Sequence, residues 1–119
     1  MRMLSYETAG GQLPPHVDLI RRTPAGEKTT HSFLLYLTDC DAGGETLLLE
    51  AKRGDARLAT AGGVVAGERA TLARAQPRRG RLLLMPHACP HAAAPVEDVP
   101  KRLVRGEVRL TSAPLQPST

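Results

Sequence analysis

An all-β sandwich or jelly roll is the fold class this chain predicts, and three observations predict it. Short leucine-rich and β-branched runs recur along the sequence, divided by the turn-forming stretches AGGQLPP, DCDAGG, QPRRG, PHACP and EDVPK. Prolines at 14, 15, 77, 86, 90, 95 and 100 stand wherever a long helix would have to pass. Eight short strands separated by such signals suit two packed sheets and no large helical layer.

The elements follow from these boundaries in order. Strands are expected at 2–8, running into AGGQLPP, and at 15–20, leaving it. The run SFLLYL predicts a strand at 31–38 that stops at DCDAGG. Gly43 and Gly44 then permit a tight turn or bulge into ETLLLEA, a strand at 45–51. KRGDARLATAGGVVAGE, residues 52–68, has the least strand character and reads as an excursion loop. Strands at 69–75, 81–86, 91–97 and 102–111 complete the set, and SAPLQPST reads as a frayed tail. The expected organisation is one domain over 1–112 followed by a tail at 113–119. No internal repeat is present.

At 119 residues the chain is long enough to bury roughly two-thirds of the surface its unfolded form exposes. Hydrophobic residues at 41% and charged residues at 24% describe a globular chain. Aromatics are only 3%, so the core must be built from Leu, Val and Ala, and Tyr6 and Tyr36 are as useful for their hydroxyls as for their bulk. The formal charge of +4 comes from short Arg and Lys clusters. With so few rings to stack on bases, a solvated basic surface is favoured over a nucleic-acid interface. Cys40 and Cys89 form no C-x-x-C pair, which argues for reduced thiols and a cytoplasmic setting. The N-terminus lacks the apolar stretch of a signal peptide, and no apolar run reaches membrane-spanning length.

The chemistry begins at LPPHVD. Side chains two apart on a strand share a face, so His16 and Asp18 project together while Val17 turns away. An imidazole beside a carboxylate is half a metal site. A third donor is available in GRLLLMPHACPHAAAP, where His87 and His91 end a leucine-rich strand. Pro86 and Pro90 rule out the helix that would bring both to one ion, so one of the two completes the set. Two histidines and one carboxylate on one face of an octahedral ion leave three positions open, as non-haem Fe(II) oxygenases require. A structural zinc site would close all four of its positions.

These stretches, together with LSYETAGGQLPPHVD, SFLLYLTD, GGETLLL, QPRRGRLLLMPHACPH and PVEDVPKRLVRGEVRL, stand in the order of a known family. The chain resembles the 2-oxoglutarate- and Fe(II)-dependent dioxygenases of the prolyl 4-hydroxylase-like branch, over nearly its whole length. The resemblance implies a double-stranded β-helix, or jelly roll. It matches His16, Asp18 and His91 to the iron ligands and His87 to a histidine that precedes the distal ligand without binding iron. Lys101, ten places after His91, matches the cation that holds the far carboxylate of 2-oxoglutarate. Tyr6, Tyr36 and Thr46 match positions around that cosubstrate, and Arg105 matches an arginine of the last strand. Implied cofactors are Fe(II), 2-oxoglutarate and O2, with ascorbate as an auxiliary ligand. The implied reaction is hydroxylation of a C–H bond of a protein side chain, peptidyl proline included, or of a small molecule, with 2-oxoglutarate decarboxylated to succinate.

The chain departs from the family's pattern in three places. Ala92-Ala93 follow His91 where Glu-Gly is usual, EVRL ends the last strand, and Thr38 replaces an asparagine. The helices that normally precede the first strand are also absent, which leaves one sheet face for a partner or a missing segment to cover. An alternative reading is therefore a catalytically silent jelly-roll binding module. A cupin-type site lacks its fourth ligand here, and a nucleic-acid demethylase would place its arginines beyond Lys101.

Overall fold

In the computed structural model, residues 1–58, 63–65 and 67–111 are described. The expected tail at 113–119 and parts of the 52–68 excursion lie outside them. The strands are β1 (Arg2–Tyr6), β2 (Leu13–Val17), β3 (His31–Tyr36), β4 (Thr46–Leu49), β5 (Gly63–Val64), β6 (Thr71–Ala75), β7 (Leu82–Pro86), β8 (His91–Ala93) and β9 (Lys101–Val108). One helical turn, α1 (Asp55–Leu58), interrupts them. Two antiparallel sheets result: four strands in the order β1-β9-β3-β7 and five in the order β5-β2-β8-β4-β6. The fold is all-β and jelly-roll-like, as the turn spacing predicts. No helix among the described residues is long and apolar enough to cross a membrane.

Two differences from the expected strands have physical causes. Strand β2 begins earlier, at Leu13, and takes in Pro14 and Pro15. A proline has no N–H for the ladder. The pairing of β2 with β8 accordingly shifts register between Leu13 and His16, across the two prolines. Strand β5, only two residues long, lies inside the excursion and pairs with β2 at His16↔Val64 and Val17↔Gly63. A pair of residues beside glycine carries no periodicity to read. The near end of the excursion is tied down by Asp55, which accepts from Arg69 Nη1 at 2.6 Å and Nη2 at 3.0 Å, and from Lys52 N at 2.6 Å.

Between the sheets lies the expected aliphatic core, with Val17, Leu49, Met85, Val96 and Leu103 buried. Tyr36 is the one ring fully enclosed there, and its hydroxyl meets Thr46 Oγ1 at 2.6 Å. Alternation along β9 sends Lys101, Leu103, Arg105 and Glu107 inward. Lys101 and Leu103 are fully buried, while Arg105 and Glu107 are partly exposed. Strand β9 therefore runs from the closed end of the sandwich to its mouth. Its neighbour β1 places Tyr6 opposite Lys101, Leu4 opposite Leu103 and Arg2 opposite Arg105. The outward parity of the same sheet carries Met3, Val104, Leu35 and Leu82 in one cross-strand row. Met3 and Leu82 are exposed there, and Leu84 is exposed in the adjoining row.

Candidate metal centre and its two flanking cavities

Cross-strand pairing brings the distant histidines together: His16 on β2 stands directly opposite His91 on β8. Their ring centroids are 4.3 Å apart. Asp18, one residue beyond the end of β2, turns its Oδ1 toward both rings, 3.3 Å from His16 Nε2 and 3.5 Å from His91 Nε2. One donor atom from each of the three lies within 4.8 Å of the others. The structure thus selects His91, and not His87, as the second imidazole of the cluster.

Each ring is oriented by its other nitrogen. His16 Nδ1 lies 2.7 Å from Pro14 O, and His91 Nδ1 lies 3.1 Å from Cys89 O. A backbone carbonyl only accepts, so Nδ1 carries the proton in both rings and each Nε2 presents a lone pair to the shared space. Two Nε2 atoms and one carboxylate oxygen converging in this way fit a divalent transition metal bound on one face.

Asp18 is held from behind by a chain of buried hydrogen bonds that the sequence reading did not anticipate. Ser32 Oγ donates to Asp18 Oδ2 at 2.6 Å, and Ser32 Oγ also meets His87 Nδ1 at 3.1 Å. His87 Nε2 meets Thr29 Oγ1 at 2.8 Å. Counting protons assigns the direction. Ser32 has one proton, and the bond to a carboxylate is the stronger use for it. His87 Nδ1–H must then donate to Ser32, leaving Nε2 to accept from the Thr29 hydroxyl. This gives up the bond from that hydroxyl to the carbonyl of Arg21 at 3.0 Å, but the carbonyl still accepts from Thr29 N at 2.7 Å. Burial lowers the His87 pKa, consistent with this neutral tautomer. All three side-chain protons therefore point toward Asp18. The chain engages Oδ2 and leaves Oδ1 for the histidines and for Arg105 Nη2, at 3.3 Å.

The electrostatics follow from the packing. Burial alone would raise the Asp18 pKa, but His16, His91, the Ser32 hydroxyl and Arg105 outweigh it and hold the carboxyl well below its usual range. The bond to Asp18 raises His16 against the opposing effect of burial. His91 is lowered by burial, with Asp18 only partly offsetting it.

His16 and Asp18 stand in the wall between two cavities. The inner one is lined by Tyr6, Thr46, His91, Lys101 and Leu103, and the outer one by Arg2, Leu19, Arg21, Val64 and Glu107. Arg105 lines both. The outer cleft holds about 380 Å³. The inner pocket holds only about 30 Å³, room for about one water, so a larger guest enters only if its lining side chains move.

Lys101 is 1% exposed, and its Nζ lies 5.2 Å from the centre of the Tyr6 ring. It makes no ion pair among the described residues. Burial lowers its pKa, opposed by Cys40 and Glu45. A buried cation with no counter-charge, facing a pocket, fits a ligand that brings a carboxylate. Two glycines shape this corner. A Cβ at Gly11 would stand 2.7 Å from Tyr6 Cδ1, and one at Gly44 (φ +73°) would stand 3.2 Å from Lys101 Cδ.

Of the residues picked out from sequence, His16, Asp18 and His91 meet, and Tyr6, Thr46 and Lys101 line the inner pocket. Tyr36 lies behind Thr46 and reaches that pocket only through it. Missed were Ser32, Thr29, Arg2 and Arg21, and the contact of Arg105 with Asp18. Ser32 had a signal, being a polar residue at the inward parity of SFLLYL.

A comparison with curated proteins found no match. Residues 1–106 match the 2OG-Fe(II) oxygenase superfamily, a span that takes in every residue of the cluster and, Glu107 apart, the named lining of both cavities. The chain therefore belongs to the 2OG-Fe(II) oxygenase superfamily.

Proposed function

We propose that this protein is an active Fe(II)- and 2-oxoglutarate-dependent dioxygenase of the prolyl 4-hydroxylase-like branch, hydroxylating a C–H bond of its substrate. The observation that carries the proposal is the convergence of His16 Nε2, His91 Nε2 and Asp18 Oδ1 in the wall between a pocket ending at Lys101 and an open cleft. His16, Asp18 and His91 hold the iron, which together with 2-oxoglutarate supplies oxygen activation coupled to decarboxylation to succinate.

The chain's own residues do the rest. Lys101 offers its ammonium to the far carboxylate of 2-oxoglutarate, and Tyr6 and Thr46 flank that carboxylate from the pocket wall. Tyr36 orients the Thr46 hydroxyl. Leu4, Leu34 and Leu103 keep the pocket apolar, which strengthens the Lys101 contact. Ser32 and His87 fix Asp18 so that one oxygen faces the metal. The substrate, a protein side chain or a small molecule, approaches from the cleft side.

Turnover of C1-labelled 2-oxoglutarate tests this reading. Labelled CO2 and succinate are expected from the wild type and not from Asp18→Ala. No succinate from the wild type, or an equal rate after Asp18→Ala, would end the enzyme assignment. A second reading is a catalytically silent binding module, favoured by the exposed apolar row on the outer face of the four-stranded sheet. It predicts no Fe(II) binding at micromolar concentration.

A further inference from the structure

The outer cleft has a charge pattern that the iron and cosubstrate chemistry leaves unused. Strand pairing places Arg2 directly opposite Arg105, both on the inward face of the sheet. Like charges directly opposite one another weaken a sheet. Arg21 enters the same cleft from the hairpin after β2, where Thr29 N and Arg21 O close a backbone pair at 2.7 Å. The Arg2 and Arg21 side chains form no hydrogen bond or ion pair with another described residue. The acidic groups lining the cleft are Asp18 and Glu107. Asp18 faces the metal position, and Glu107 lies 3.9 Å from Arg105, at the limit of an ion pair.

With Asp18 engaged by a metal, one carboxylate faces three guanidinium groups. Planar guanidinium forks recognise carboxylate and phosphate oxygens in pairs. Leu13, Leu19 and Val64 add an apolar wall, and the volume suits a small molecule.

We infer that Arg2 and Arg21, with Arg105 beside the metal, form a subsite for an oxyanion carried by the substrate. The enzyme thus acts on a small molecule bearing a carboxylate or phosphate group. This inference rests on the dioxygenase reading for the word substrate, but the subsite itself stands on the geometry of the cleft. The anion sits at the mouth of the β9 row, away from Lys101 at its closed end. With the anion held chiefly by Arg2 and Arg21, an uncharged portion of the substrate faces His16 and Asp18, which line the same cleft, and presents its C–H bond there.

Phenyl phosphate and benzoate serve as probes, titrated calorimetrically into protein loaded with Mn(II) and 2-oxoglutarate so that Lys101 is already engaged. The expected result is saturable, salt-sensitive binding of at least one probe. That binding weakens at least tenfold in the Arg2→Gln/Arg21→Gln double variant, while 2-oxoglutarate affinity, set at Lys101, stays as in the wild type. Tighter binding of phenyl phosphate identifies a phosphate-bearing substrate, and tighter binding of benzoate a carboxylate-bearing one. Binding of neither probe, or equal binding to wild type and double variant, overturns the inference. If Mn(II) or 2-oxoglutarate fails to load, the dioxygenase reading fails. The same titrations on metal-free protein then decide the subsite.

Discussion

Replacing Lys101 with methionine should move stability and ligand binding in opposite directions. In the metal-free protein Lys101 is an enclosed cation beside the face of Tyr6, with Glu45 acting on it only from beyond ion-pair distance. Taking a lone charge out of water costs several kcal/mol, and an apolar side chain of similar length removes that cost. The lost cation–π contact opposes this by roughly 0.5–2 kcal/mol, and a sulfur–ring contact replaces part of it. The free protein should therefore unfold at equal or higher urea concentration in Lys101→Met. The bound state behaves otherwise, because the variant leaves a buried carboxylate unpaired, at a cost of about 3–5 kcal/mol. At about 1.4 kcal/mol per decade, 2-oxoglutarate affinity falls by roughly two to three and a half powers of ten.

The pH dependence supplies a check with a definite sign. A lysine pKa lowered by folding means that the unfolded chain binds more protons between the lowered value and the ordinary one. Wild-type stability should rise with pH across that window, and the rise should vanish in Lys101→Met. Urea unfolding and calorimetry with Mn(II) read the two effects separately. A variant that is less stable yet binds 2-oxoglutarate as the wild type does would refute the placement of Lys101 as a cation waiting for an anion.

Two further outcomes follow from the metal centre. Ser32→Ala and His87→Asn remove the hydrogen bonds behind Asp18 and should weaken Co(II) binding by about 10–100-fold, judged from its visible absorption. Thr29→Val, one bond farther out, should have a smaller effect, and unchanged affinity in all three would show that the chain does not position Asp18. In the metal-free protein, NMR should find His16 titrating above the ordinary histidine value and falling back in Asp18→Asn, since the bond to Asp18 is the main cause of the shift. A raised histidine stabilises the fold fully below the ordinary value and loses that contribution as pH rises through the raised one. Metal binding needs the neutral ring, so metal affinity must fall as pH drops through the same raised value. A pH-independent affinity there would contradict the assignment of His16 as a ligand.

The framework was legible because it rests on local rules. Prolines and glycine pairs mark the turns, and the i, i+2 relation puts His16 and Asp18 on one side before any pairing is known. Lys101 and Thr46 were reachable through motif order alone. Cross-strand register was not legible, being a property of partners far apart in the chain. The pairing that sets Arg2 opposite Arg105, 103 residues away along the chain by number, leaves no mark on either local stretch. The same holds for Tyr36, whose position behind Thr46 depends on how far apart the sheets sit. His87 was visible as a chemistry-bearing residue, but its role depends on Ser32 and Thr29, which meet it only in the fold.

Asp18 is where these two kinds of information join. The histidines beside it come from the five-stranded sheet, through β2 and β8, while Ser32 and Arg105 come from the four-stranded sheet, through β3 and β9. One carboxylate thus ties the two layers at the point where both cavities meet. In a core with so few rings, this satisfied buried network adds a directional link that helps to fix the spacing of two layers otherwise joined by aliphatic side chains. The same spacing sets how closely Lys101 and Thr46 can approach across the inner pocket. A metal bound at Asp18 and a ligand bound at Lys101 would each act on that same spacing.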